Sequence, residues 1–315
     1  VNETKTIEVN APLPELKYSQ LSKDLTAKIS KDEKKTNGIF FTPPETIQKN
    51  IEFLEPYMKN IVDVLEPSCG SCEYISKLSN INSNINITGI ELNKTIFESI
   101  KKYETDNVKL INDNFLTHDF KTKQFDLIIG NPPYFVMKQS DVDKSYREYY
   151  EGRPNIFVLF ILKSLQLLNE GGIISFVLPK SFLNCLYYDK TRKYIVEHCN
   201  ILNIIECSDD KYLETQQNTI VLILRNEKPT KTNKSYTITT SGYTIFGTPD
   251  NIIKLKKLYK GSKTLHDLGF TVNVGNVVWN QCKKELTDDS DKTLLIYSSD
   301  ITEDHKLMIK EYSNE

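Results

Sequence analysis

The apolar residues of this chain fall into short runs separated by longer stretches of helical character, and that alternation restricts the fold more than any other feature. Residues 61–65, 85–90, 108–111 and 126–130 are each strand-sized, and each breaks into small or polar residues. Strand and helix alternate in this way through residue 200, with 201–207 and 219–224 reading as two further strands. Such an order implies a mostly parallel sheet with helices on both faces. One helix is expected to start at Glu73 and another to run over 248–259, with a Tyr/Thr-rich strand pattern over 236–246. Residues 1–35 are polar without strong periodicity and read as an arm, and 227–234 read as a turn or linker.

The run 126–130 ends in Asn131-Pro132-Pro133-Tyr134, the most chemically specific segment of the chain. Two prolines fix φ and remove backbone donors, and Asn131 is held extended by the proline after it. The result is a stiff shelf with free carbonyls. An exocyclic amine on a purine has two N–H groups, which the Asn131 side-chain oxygen and the Pro132 carbonyl could accept, turning the nitrogen lone pair towards an activated methyl group. Tyr134 could stack on the ring. A base in a duplex would have to be flipped out to reach this shelf. Taken alone, the tetrapeptide also reads as a proline-rich turn closing a buried strand.

A second group of residues points to a nucleoside cofactor. The run 61–65 breaks into Glu66-Pro67-Ser68-Cys69-Gly70-Ser71-Cys72, a turn of small residues through which a ligand could approach the backbone. The next run ends in Glu91, about twenty residues beyond the glycine turn, where nucleotide-binding α/β units place the acid that holds ribose hydroxyls. The third leads to Asn112-Asp113-Asn114-Phe115-Leu116, which could meet an adenine amino group through Asp113 or Asn114.

In this order, residues 36–226 resemble the S-adenosylmethionine-dependent DNA adenine-N6 methyltransferases of gamma-type motif order, the NPPY class of TaqI/Eco57I-like type II modification methylases. Gly38-Ile39-Phe40-Phe41-Thr42-Pro43 resembles their N-terminal cofactor segment, Asn155-Ile156-Phe157 their helix after the catalytic loop, and 170–179 their fifth-strand motif. The resemblance implies a Rossmann-like class I methyltransferase fold with a seven-stranded, mostly parallel sheet over 36–228. An arm over 1–35 would precede it. A linker or extension over 229–264 would follow, then a partial or minimal target-recognition region over 265–315 that opens with 268–279 and contains Trp279. Implied cofactor residues are Phe41, Thr42, Pro43, Glu66, Pro67, Ser68, Cys69, Gly70, Glu91, Leu92, Asp113, Asn114, Phe115, Asn131, Pro133 and Phe157. Implied catalytic residues are Asn131, Pro132, Pro133, Tyr134 and Tyr212, the last offering a second aromatic face to the flipped base. The chain departs from the family pattern at Cys72, where a second glycine is common, and at Asn114, where Asp is common.

The expected partner is double-stranded DNA with one adenine flipped out, in a restriction–modification or viral DNA-modification system. Glutamine of a release factor and an RNA base are the alternative substrates, and a non-catalytic scaffold subunit is the non-enzymatic one. A formal net charge of −2 over 315 residues is low for a nucleic-acid enzyme. Two mixed-charge segments could supply local contacts: 138–153, with Lys138, Lys144, Arg147, Arg153, Tyr146, Tyr149 and Tyr150, and 180–193, with Tyr187, Tyr188, Lys190 and Arg192. Both also read as ordinary solvated surface. Six scattered cysteines favour reduced thiols, and neither the lone Cys69-x-x-Cys72 nor the four histidines have metal-ligand spacing, so no metal is expected. No membrane span or signal peptide is expected, which places the protein inside a bacterial or virus-infected cell, with a monomer favoured.

Overall fold

The strand runs are apolar at successive positions, not alternate ones, because both faces of the sheet are covered. In the computed structural model, which describes residues 16–240, 242–271 and 282–309, neighbouring residues of each central strand enter opposite cores. Leu65, Ile128 and Ile174 face one core with Phe157, Phe160 and Phe176; Val64, Leu127, Ile129 and Ile173 face the other with Ile47, Leu54 and Tyr74. The chain divides into two compact units, residues 1–260 and 261–315.

In the first unit the strands are β1 (Asp63–Glu66), β2 (Asn86–Glu91), β3 (Val108–Asn112), β4 (Phe125–Gly130), β5 (Leu168–Pro179), β6 (Asn200–Glu206) and β7 (Thr219–Arg225). Their order is β3-β2-β1-β4-β5-β7-β6. All run parallel except β7, which is antiparallel to both β5 and β6. This is the mostly parallel seven-stranded sheet expected. Its strand order reverses between β1 and β4, so the carboxyl ends of those two strands open a crevice where α/β proteins bind ligands.

The helices are α1 (Gln20–Lys28), α2 (Lys31–Asn37), α3 (Pro44–Leu54), α4 (Glu73–Ile81), α5 (Lys94–Ile100), α6 (Ile156–Leu167), α7 (Asp189–His198), α8 (Asn233–Tyr236) and α9 (Pro249–Tyr259). Pro44 opens α3 at a position where the missing N–H has no consequence. In α6 every residue from Ile156 to Leu162 is buried. No helix among the described residues is long and apolar enough to cross a membrane.

Several expectations need correction. Residues 16–35 are not an extended arm: α1 and α2 dock on the domain although they bury few apolar side chains, Leu25 and Ile29 among them. Polar bonds complete the docking. Ser22 Oγ lies 2.6 Å from Glu73 Oε1 and 2.8 Å from Ser71 Oγ, and the Lys34 ammonium meets Glu214 at 2.6 Å and the Thr26 carbonyl at 2.6 Å. In 236–246 the strand pattern is an antiparallel hairpin, β8 (Thr237–Thr240) with β9 (Tyr243–Phe246), whose Phe246 enters the core.

Arg192 is no candidate for surface contact, being fully buried. It donates to the carbonyls of Thr244, Phe182 and Cys185, while Asp189 accepts from the Thr244 N–H, so the pair clamps β9 to α7. In 138–153, Tyr150 and Val142 are buried and the Tyr149 carbonyl accepts from Thr191, so this segment is docked, with its Lys and Arg side chains outward.

In the second unit, short 3-10 turns lie at His266–Leu268, Lys283–Glu285 and Ser298–Asp300. Asp300 is buried and accepts from the Tyr297 N–H at 2.8 Å. Of the recognition-like stretch 268–279 only its first four residues are described, and Trp279 lies outside the described residues.

Candidate active site

The carboxyl ends of β1, β2, β3 and β4 gather on one edge of the sheet, and the turns that leave them wall a cavity of about 440 Å³. After β1, Cys69 N–H donates to the Ile90 carbonyl at 2.9 Å, which folds the turn back over β2. Gly70 takes a φ of +49°, within the region glycine adopts freely. Cys72 has a φ of +61°, so the residue standing where glycine is common does adopt the left-handed conformation that a Cβ disfavours. It caps α4, and its side chain is buried.

Glu91 closes β2 with its carboxylate inside the cavity wall. Oε2 accepts from the Gly70 N–H at 2.9 Å and Oε1 from the Asn93 N–H at 2.7 Å. Burial outweighs these bonds and pushes its pKa up to about 7. Asn112, a residue with no expected role, donates to the Glu91 carbonyl at 2.7 Å and fixes the two strand ends together.

Beyond β3, the segment 113–118 forms the next wall. Its two polar candidates differ in engagement: Asp113 Oδ2 lies 2.7 Å from His118 Nδ1, while Asn114 Oδ1 accepts from the Leu116 N–H at 3.0 Å. The histidine holds the Asp113 carboxyl below its usual range. Lys163 of α6 supports this wall from behind. Its ammonium donates to the carbonyls of Leu116 and His118 at 3.0 and 2.8 Å and sits 5.3 Å from the centre of the Phe115 ring.

The tetrapeptide leaves β4, and its Asn131 and Pro133 line the cavity. Asn131 Nδ2 donates to the Phe40 carbonyl at 3.0 Å, its own carbonyl accepts from Ser68 at 3.1 Å, and its Oδ1 accepts from the Tyr134 hydroxyl. The Phe40 carbonyl therefore sets the amide so that the oxygen faces the turn. The Tyr134 hydroxyl also lies 2.9 Å from the Val177 carbonyl, so its single proton is shared between two acceptors, and the Tyr134 ring is stacked on Phe40 and edge-on to Phe157. Gly38 makes this approach possible. It ends α2 with a φ of +64°, and a Cβ there would run into the backbone nitrogen of Tyr134.

Of the expected residues, Phe41, Pro67, Ser68, Gly70, Glu91, Leu92, Asp113, Asn114, Phe115, Asn131 and Pro133 line the cavity. Thr42, Pro43, Glu66, Cys69 and Phe157 are outside its lining, as are Pro132, Tyr134 and Tyr212. Glu66 lies beneath Gly130, fully withdrawn from water, and its Oε2 meets no partner among the described residues. Burial, with the Cys72 thiol nearby, pushes its carboxyl well above the usual range. Tyr212 is only 8% exposed, and Tyr134 is half-buried with its ring stacked on Phe40, so neither presents an open face. Ile156, from the Asn155-Ile156-Phe157 segment, also lines the cavity, and Phe135, Met137 and Phe160 complete the apolar wall with no distinguishing mark in the sequence beyond hydrophobicity.

Cys69 and Cys72 are buried free thiols within this fold, and no group of metal-ligating side chains occurs among the described residues. The sheet order and the cavity at its switch point define the Rossmann-like class I methyltransferase fold, and a solved structure agrees. A Listeria monocytogenes protein assigned to the class I S-adenosylmethionine-dependent methyltransferases matches with a TM-score of 0.52 and 18% identity, over 67% of this chain and 70% of that one.

Residues 20–212 match the Eco57I restriction-modification methylase model, and the chain belongs to that family. The modification methylase CviBIII of Paramecium bursaria Chlorella virus NC1A is 32% identical over 216 residues, 68% of this chain and 56% of the relative. The type II methyltransferase M.CvrRI of Paramecium bursaria Chlorella virus XZ-6E is 29% identical over 263 residues, 82% of this chain and 66% of the relative. The chain thus spans between about half and two thirds of the length of these curated relatives.

Proposed function

We propose that this chain is the catalytic part of a DNA methyltransferase that moves a methyl group from S-adenosylmethionine to the N6 amino group of a flipped adenine. The observation that carries the reading is that Asn131 and Pro133 of the Asn131–Tyr134 turn line the same nucleoside-sized cavity as Glu91 and Gly70. Membership of a restriction-modification methylase family and two relatives named as a modification methylase and a type II methyltransferase support it.

The cavity fits the donor on its own chemistry. Glu91 is a buried carboxylate whose two bonds go to backbone N–H groups, leaving lone pairs for ribose hydroxyls. Gly70 leaves the floor open, with only the Phe41 ring near where a Cβ would stand. Asn114 and Asp113 offer acceptors for an adenine amine, with Phe115 and Phe160 as apolar walls. Bound there, the donor supplies a sulfonium-activated methyl group. Asn131 Oδ1 then accepts one N–H of the target amine and the Pro132 carbonyl the other, which aims the nitrogen lone pair at the donor. Rate comes from positioning and from polarising the amine, with no covalent enzyme intermediate.

Two movements belong to this reading. Asn131 Oδ1 is engaged by the Tyr134 hydroxyl, so the hydroxyl shares or yields that acceptor when the amine arrives. Tyr134 must also turn from Phe40 to stack on a base, with Tyr212 as the opposite face. In this assignment 36–228 is the catalytic domain, and 265–315 contributes to target recognition. The test is transfer of labelled methyl from S-adenosylmethionine to duplex DNA, structured RNA and a release factor in parallel. Label on DNA supports the reading; label confined to RNA or protein replaces it with one of the alternatives.

A further inference from the structure

The lysines of this chain are not spread evenly. Residues 228–260 carry seven lysines and a single acid, Asp250, a formal charge of +6, whereas the whole chain carries −2. These residues fold as α8, the β8–β9 hairpin and α9, packed beside edge strand β6. Tyr236 donates to the Leu202 carbonyl, Asn233 accepts from the Ile201 N–H, and Lys256 donates to the Lys234 carbonyl. Lys231, Lys234, Lys254, Lys257 and Lys260 are all exposed, and none has a carboxylate within 4.0 Å among the described residues. Like charges gathered without counter-charges repel one another, which an external polyanion relieves.

The face begins at the active-site edge of the sheet and runs back from it along β6. Strand β6 is parallel to β5, hence to β4, so Glu206 at its end lies on the same edge as the Asn131 turn. Asn251 in the first turn of α9 donates to Glu206 at 2.8 Å, whereas Lys256 reaches the Lys234 carbonyl of α8 beside Ile201 at the start of β6, so the lysine-bearing helix runs from that edge towards the opposite one.

We propose that the face formed by α8 and α9 binds the phosphate backbone of double-stranded DNA on the flank of the catalytic domain, away from the target base. The inference rests on the DNA reading above and adds the surface that holds the duplex. Ile253 and Leu258 are exposed among the lysines of α9, so a protein partner or a second copy of the chain is the competing occupant.

The test is a combined Lys254→Gln, Lys257→Gln, Lys260→Gln variant of the full chain, titrated with a fluorescent mixed-sequence duplex over a range of salt. Each lost phosphate contact lowers the slope of log K against log salt by about 0.9 and weakens binding about eightfold at ~0.1 M salt. The expected result is a slope smaller by about 1 to 2.7 and a dissociation constant raised tenfold or more, with binding of S-adenosylhomocysteine and the melting temperature unchanged. An unaltered slope in the variant overturns the assignment of this face while leaving the DNA reading intact. No salt-dependent duplex binding by the wild-type chain overturns both. A change in sedimentation without a change in DNA affinity assigns the face to self-association and overturns the proposal.

Discussion

Glu91 makes donor binding depend on pH in a direction that its burial sets. Its pKa stands at about 7, raised by burial from a reference of 4.5. Hydroxyl donors from a ribose favour the carboxylate, so binding selects the ionised form and releases a proton wherever the free protein holds one. With a free-state pKa of about 7, only about one molecule in eleven is ionised at pH 6, so affinity there is about tenfold weaker than at pH 8, near 1.4 kcal/mol. For the unliganded fold the sign is opposite. A buried acid with a raised pKa contributes stability that is complete below 4.5 and lost as pH rises through about 7. Calorimetric titration with S-adenosylhomocysteine between about pH 5.5 and about pH 8.5, in buffers of different ionisation enthalpy, reads both the affinity and the proton count. Glu91→Gln should bind more weakly at pH 8 and lose this pH dependence. Affinity in the wild type that is flat with pH, or the same dependence in Glu91→Gln, would refute the reasoning.

Other changes probe the remaining parts of the site. Gly38→Ala forces a Cβ into the left-handed region and against the Tyr134 backbone, so it should destabilise the chain by at least about 1–2 kcal/mol in chemical denaturation and displace the Asn131 turn. Lys163→Met removes two charged hydrogen bonds to the Leu116 and His118 carbonyls; donor affinity should fall about tenfold or more in calorimetry while circular dichroism shows the fold retained. Arg192→Leu strips three carbonyls of their donor and should cost on the order of 3–5 kcal/mol of unfolding free energy, detected as faster proteolysis at the hairpin.

The sheet was legible in the sequence because its strands are covered on both faces, so each reads as an unbroken apolar run bounded by turn residues. Glu91 and Gly70 were legible for the same reason, sitting where such runs stop. What escaped was set by partners distant in sequence. Helices α1 and α2 show little periodicity because serine and lysine bonds to Glu73 and Glu214 do much of the docking. Arg192 reads as a surface residue of a polar helix until the hairpin, some fifty positions later, brings the Thr244 carbonyl to it. The Phe40 carbonyl acts through a backbone atom, of which side-chain identity leaves no trace, and the Asn112 side-chain amide acts on a backbone carbonyl 21 positions away, that of Glu91. Tyr134 shows the converse, since its type fits base stacking but its ring here is stacked on Phe40.

The central claim is that Asn131 presents the N6 amine of an adenine in DNA to the methyl donor. The most direct measurement is mass spectrometry of nucleosides digested from duplex DNA after incubation with S-adenosylmethionine and either wild-type chain or Asn131→Ala. The account predicts N6-methyldeoxyadenosine from the wild type and a yield lower by about 10²–10³-fold from the variant, which should keep its affinity for S-adenosylhomocysteine. Methylation at another base, or undiminished transfer by Asn131→Ala, would contradict it.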